Sequence, residues 1–191
     1  MPDSQATSPM FKSCIELSTL VLERPDIFPI DYLDDLEALY YSICWLCVAY
    51  IAPGSWRPKE TLSKPIWDWV HYPLSKEVAQ WKEHQLLYGP GIENEQIAFY
   101  FGTPFEVMLR RMREVLRNKY WRKVALGRGR TAREMIMEAT RDFDEFNGIV
   151  QRAIREAGTF YWERNRAGGD MWFGDGLDEV FFDPTSPEDD L

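Results

Sequence analysis

Asp31-Tyr32-Leu33-Asp34-Asp35-Leu36-Glu37-Ala38-Leu39-Tyr40-Tyr41-Ser42-Ile43-Cys44-Trp45-Leu46-Cys47-Val48 is the stretch on which the fold turns. Its front is acidic and the rest is almost wholly apolar. Aspartates at a helix start accept hydrogen bonds from free N–H groups and meet the positive end of the helix dipole. Behind them Leu36, Leu39, Ile43, Trp45, Leu46 and Val48 place apolar side chains on nearly every face. A helix apolar all round is one surrounded by protein. The stretch therefore predicts a central helix running to about Ile51, with the remaining elements packed around it.

The absence of charge from Ala38 to Trp56 also raises the question of a membrane span. The apolar part ends at Ala52 and Pro53-Gly54 breaks it, leaving about 15 residues where a span needs about 20. Ser42 and the tyrosines Tyr40, Tyr41 and Tyr50 fit a buried core helix better. No membrane contact is expected.

Outward from this helix, residues 53–73 carry Pro53, Pro58, Pro65 and Pro73, which predicts a long irregular connection with little backbone pairing. Ser75 to Leu87 reads as a helix with Val78, Trp81 and Leu86 inward, ended by Gly89-Pro90-Gly91. Thr103-Pro104-Phe105-Glu106 is a helix start, with a capping threonine, proline at the first helical position and a glutamate reaching back. Phe105, Met108, Leu109, Met112, Val115 and Leu116 follow at the helical period. Thr131-Ala132-Arg133-Glu134 opens another helix with a capping box. Its apolar stripe is Met135, Ile136, Ala139, Phe143, Phe146, Ile149, Val150, Ala153 and Ile154. Upstream, a short helix around Ser13 to Glu23 closes at Arg24-Pro25. No stretch alternates well enough for a sheet, so the fold class is mainly α, a helical bundle around a buried central helix. The chain divides into a disordered start over 1–10, a helical region over 11–125, a long C-terminal helix over 126–165 packed on it, and a tail over 166–191 that is aromatic and then acidic.

The segment Asp34-Asp35-Leu36-Glu37-Ala38-Leu39-Tyr40-Tyr41, followed by Ile43-Cys44-Trp45, resembles the Asp-Asp-Leu-Glu-Ser segment of the casein kinase one group, and more closely that of the fungal-type protein kinases. There it opens the central buried helix of the kinase C-lobe. Thr7-Ser8-Pro9-Met10-Phe11-Lys12-Ser13 is similar to the Gly-Thr-x-x-Phe-Met-Ser end of that family's activation segment, and Glu16 lies near its helix-starting glutamate. Trp67-Asp68-Trp69 leading into Ala79-Gln80-Trp81-Lys82 is similar to its tryptophan loop and Ala-x-x-Lys helix. The resemblance covers roughly residues 7–117 and implies a C-lobe-like bundle whose structural anchors are Asp34 and Asp35. In the family, the aspartate matching Asp35 binds the catalytic-loop backbone.

Departures define the functional expectation. Thr7, Ser8 and Lys12 replace the family's Gly, Thr and Met. The glycine-rich loop, the ATP-facing lysine, His-Arg-Asp and Asp-Phe-Gly should all precede this point. Six residues stand before Thr7 in the sequence as given. The resemblance thus implies a lobe that is catalytically silent by itself, with no catalytic residue, no cofactor and no metal. Without its usual cargo, Asp35 should cap its own helix, meet a donor such as Ser13, or stay solvated, because a buried carboxylate without donors is costly. Two alternatives stand beside this one: a fragment of an active fungal-type Ser/Thr protein kinase whose N-terminal part is missing, and an unrelated helical binding protein.

At 191 residues, 45% hydrophobic and 15% aromatic, the chain has ample material for a core. A formal charge of −9 argues against general nucleic-acid binding. Between Arg110 and Arg133 stand ten Lys/Arg against Glu114 alone, whereas Asp170 to Leu191 holds eight Asp/Glu and no base. Arg110, Arg111, Arg113 and Arg117, with Trp172 and Phe173 of the aromatic cluster, are the candidate protein-binding residues. A protein is accordingly the expected partner.

Gly127-Arg128-Gly129-Arg130-Thr131-Ala132 fits a loose G-x-G-x-x-A, but no buried strand precedes it. Arg128 and Arg130 are retained as candidate anion-binding residues at a helix start. Cys44-x-x-Cys47 lies inside an apolar helix and reads as two buried thiols rather than a metal or redox pair. His71 and His84 have no ligand-like spacing and read as surface residues. Three cysteines and a polar N-terminus without an apolar h-region imply an intracellular, cytoplasmic or nuclear, location.

Overall fold

The computed structural model describes residues 9–14, 16, 17, 20, 31–52, 54–72, 74–92, 97, 100–126 and 131–166. Its order is α1 (Tyr32–Ala49), β1 (Tyr50–Ala52), β2 (Ser55–Trp56), α2 (Lys64–His71), α3 (Lys76–Leu87), α4 (Gly102–Leu126) and α5 (Ala132–Arg166). Short 3-10 turns form at Pro9–Phe11 and Lys59–Thr61. The mainly helical class holds. The chain falls into two compact units, Met1–Ala157 and Gly158–Leu191. In the second, the described residues continue the α5 helix, and the rings of Phe160 and Tyr161 meet edge to face at 5.6 Å. All the packing that follows is within the first.

Helix α1 starts where its acidic front requires. Asp31 is the cap and accepts from the Leu33 N–H at 3.0 Å, while Asp34 reaches back to the Asp31 N–H at 2.7 Å. This reciprocal pairing satisfies two of the donors a helix leaves unbonded. Asp35 takes no part and is exposed. Of the Asp34-Asp35 pair it is Asp34 that turns inward, and Asp35, rotated about 100° further round the helix, falls on its exposed side.

Leu36, Tyr40, Tyr41, Cys44, Cys47 and Val48 of α1 are sealed in the core. The prediction of a fully enclosed helix is met on most faces, but Leu39 and Leu46 stay 44% and 48% exposed. Together with Asp35 they define one open stripe. The helix ends at Ala49 and turns directly into the antiparallel pair β1–β2, in which Tyr50 faces Trp56. Gly54 makes this reversal with φ +70°, a region closed to most side chains. The stretch read as irregular over 53–73 therefore holds a small hairpin and a helix. Its prolines did not prevent this, because Pro65 falls in the first turn of α2, where its missing N–H is not needed.

Trp69 of α2 is the hub of the core. It is fully buried and meets the rings of Tyr41, Trp45, Trp81 and Phe11 at 5.5, 6.0, 6.3 and 6.5 Å. Ser75 caps α3 by accepting from the Val78 N–H at 3.1 Å. Val78, Ala79, Leu86 and Leu87 are buried, and Trp81 is half-buried. Helix α4 begins one residue before the predicted threonine, at Gly102 with φ +64°, and lays Met108, Leu109, Met112 and Leu116 against α1.

The Thr131 box forms at the head of α5: the Thr131 N–H meets Glu134 at 2.8 Å and the Glu134 N–H meets Thr131 Oγ1 at 3.3 Å. Of the predicted α5 stripe, Phe146 and Ala153 are buried, whereas Ile136, Phe143 and Ile154 are exposed. A side chain the stripe omits, Asp142, is completely buried instead. It accepts from Tyr32 Oη at 2.8 Å and Lys119 Nζ at 2.6 Å, tying α5 to α1 and α4. No helix among the described residues is long and apolar enough to cross a membrane.

Candidate functional site

The acidic front of α1 does more than start a helix. Residues 10–14, 16 and 17 run against it, and five buried side chains from four parts of the chain hold them there. Ser13 and Glu16 form a capping box of their own: the Glu16 N–H donates to Ser13 Oγ at 3.1 Å, and the Ser13 N–H donates to Glu16 Oε2 at 3.2 Å. Behind it Cys14, Glu16, Leu17 and Leu20 are helical. The segment thus arrives as a preformed turn whose Ser13 hydroxyl is free to donate.

That hydroxyl donates to Asp34 Oδ1 at 2.5 Å, and both groups are buried. Lys123 of α4, 1% exposed, supplies the opposing charge, 3.1 Å from Asp31 and 3.4 Å from Asp34. One helical turn further along α1, Glu37 accepts from the Cys14 N–H at 2.7 Å and faces the Cys14 sulfur at 3.6 Å. From α3, fully buried Lys82 donates to the carbonyls of Lys12 at 2.6 Å and Met10 at 3.1 Å. Trp69 Nε1 donates to the same Met10 carbonyl. The Lys82 ammonium also sits 3.8 Å from the Tyr41 ring centre, and the Tyr41 hydroxyl donates to the Lys82 carbonyl at 3.1 Å. Cation–ring contacts of this kind gain strength when both partners are dry.

The electrostatics follow from burial. Taking a charge out of water disfavours its ionised form. Burial pushes the Glu37 carboxyl up to about 7, against the pull of Lys82 and of the Cys14 N–H. Burial likewise lowers the Lys82 ammonium to about 8, against the pull of Glu37. The Cys14 thiol is raised well above its ordinary value, first by burial and then by the Glu37 charge, so it stays protonated. Tyr41 and Tyr120 are raised by burial as well. A sealed, protonated thiol is no nucleophile. The arrangement is built to hold backbone.

The residues singled out from sequence separate. Asp34 is in the clamp; Asp35 is not. Arg110 and Arg111 are exposed on α4 and Arg117 is half-buried. Arg113 turns inward, 7% exposed, and donates to the Gly89 carbonyl at 3.0 Å, which leaves it least accessible to a partner. Arg128, Arg130, Trp172 and Phe173 lie outside the described residues. Cys44 and Cys47 are buried thiols outside any disulfide, and His71 and His84 are exposed. Among the described residues no group of three or more His, Cys, Asp or Glu side chains is placed to hold a metal ion.

Sequence reading missed Glu37, Lys82 and Lys123 as site residues. A signal existed for two of them. Glu37 is the last charge before a long uncharged stretch, and Lys82 follows Trp81 on a face otherwise apolar. No protein family, characterised protein or solved structure was found to match this chain.

Proposed function

We propose that this chain is a catalytically silent helical module, similar to a kinase C-lobe of the fungal type, that works by binding another protein. The observation that carries the reading is the clamp. The segment that resembles the end of an activation segment, Met10 to Ser13, is seated on the helix that resembles the lobe's central helix. In kinases that segment forms the surface on which peptide substrates are received. Holding it with sealed charges from α1, α3 and α4 fixes it as a rigid platform. Arg110 and Arg111 supply an exposed cationic patch suited to an acidic partner.

The test is a titration of the chain with magnesium and ATP, followed by thermal unfolding, beside a phosphotransfer assay on a generic Ser/Thr acceptor. No stabilisation and no transfer are expected; a rise in Tm would reveal a nucleotide site and sink the silent reading. Reading the DNA upstream of Met1 tests the rival. An open frame encoding a glycine loop, His-Arg-Asp and Asp-Phe-Gly would make the chain a fragment of an active Ser/Thr kinase.

A further inference from the structure

From Arg110 to Leu126, helix α4 carries seven Lys/Arg against Glu114 alone. Four of the seven are taken up inside the fold. Arg113 donates to the Gly89 carbonyl at 3.0 Å, Lys119 pairs with Asp142 at 2.6 Å, Arg122 with Glu138 at 2.7 Å and Lys123 with Asp31 at 3.1 Å. Arg110, Arg111 and Arg117 form no ion pair among the described residues. The chain holds 31 Asp/Glu against 22 Lys/Arg, so acids were plentiful, yet packing brings none to these three. Even Glu114, one turn from Arg110 and from Arg117, pairs with neither. Arg110, Glu114, Arg117 and Trp121 follow at helical spacing and form one row about 16 Å long. At its end the Trp121 ring meets Tyr88, the C-cap of α3, edge to face at 5.8 Å. The two residues nevertheless stay 43% and 64% exposed.

We propose that the row Arg110, Arg117 and Trp121, with Tyr88 beside it, is the docking surface for an acidic segment of a partner protein that carries an aromatic residue among its carboxylates. The inference rests on the reading of the chain as a protein-binding module and names where it binds and what. Guanidinium groups without acids of their own match carboxylates arriving from outside, and they also stack on aromatic faces. The open rings of Tyr88 and Trp121 offer the apolar ground that an incoming ring can cover. Tryptophan, tyrosine and arginine together are the side chains that most often dominate protein–protein binding. A polyphosphate is the poorer match, because a molecule of net charge −9 repels it over the approach. A short acidic segment gathers less charge and draws on the rings as well.

The test titrates the full chain with a labelled peptide, Asp-Glu-Glu-Phe-Glu-Glu-Asp, at low salt and reads fluorescence anisotropy. Binding is expected, and changing the peptide's phenylalanine to serine should weaken it. Arg110→Gln and Arg117→Gln should each weaken it by about threefold, and Trp121→Ser by about fivefold. Lys76→Gln removes an exposed charge at the far end of α3 from Tyr88 and should change affinity by less than about twofold. Unfolding midpoints of the arginine variants should match the wild type, since neither side chain is paired in the fold. No binding at millimolar peptide would overturn the proposal. So would an equal loss in Lys76→Gln, indifference to Arg117 and Trp121, or displacement of the peptide by an equimolar oligothymidylate of the same length. Peptide binding that ignores this face removes the site and leaves the protein-binding reading standing, whereas stabilisation by magnesium and ATP removes that reading itself.

Discussion

Lys82 shows how a single side chain can be both a stabilising contact and a liability. Its ammonium satisfies two carbonyls and lies over two aromatic rings, yet it is sealed from water. Replacing it by methionine fills the same space but takes the Lys82 donor from the Lys12 carbonyl, leaves the Met10 carbonyl to Trp69 alone, and deprives Glu37 of its counter-charge. Breaking a buried pair in this way costs on the order of 3 kcal/mol, measurable as a fall in unfolding free energy at neutral pH. The pH dependence has a definite sign. Glu37 has its folded value raised, so its stabilising contribution is whole below the ordinary carboxylate range and is lost as the pH rises through about 7. Lys82 has its value lowered, so its contribution is whole above the ordinary lysine range and is lost as the pH falls through about 8. The pair therefore supports the fold least between these two values. Chemical unfolding from acid to neutral pH should show Glu37→Gln gaining on the wild type by on the order of 2 kcal/mol. A constant gap would contradict the burial of an ionisable Glu37.

At the scale of elements, the caps were legible in the sequence and the exposed faces were not. Ser75, Thr131 and the Asp31 front each announce a helix by local chemistry, and local chemistry is enough to start one. The box Ser13–Glu16 carried the same signal, and it also marks where the clamped segment begins. Burial is different, because periodicity tells which residues share a face and not how much of that face is covered. Hence Phe146 is buried and Ile136, ten residues earlier on the same helix, is exposed. Asp142 was invisible because its partners Tyr32 and Lys119 come from distant elements. Asp142→Ala should therefore lower stability by about 3 kcal/mol, since it removes the buried carboxylate that pairs with the Lys119 ammonium and accepts from Tyr32. Ile136→Ser should change it by less than about 0.5 kcal/mol. Equal losses in urea unfolding would mean that α5 is seated differently. Thr131→Ala removes a cap and should cost about 1 kcal/mol, read in the same assay.

For the molecule as a whole, the amino-acid pattern carried the class of fold and the central position of α1, because a long uncharged run behind acidic caps has few other solutions. It could not carry the clamp. Four of its members, Ser13, Asp34, Lys82 and Lys123, are scattered over more than a hundred positions, and only the packing of α1, α3 and α4 brings them to one place. Their meeting turns the N-terminal segment from a tether into part of the core, which is what a rigid platform for a partner requires. That claim has a direct test in a double-mutant cycle across the bond from segment to helix, with Ser13→Ala, Asp34→Asn and the pair combined. If Ser13 is held by Asp34 in the folded core, the two losses should fall short of adding by on the order of 1–2 kcal/mol. Strict additivity would show that Ser13 is not fixed on α1, and would contradict the clamp itself.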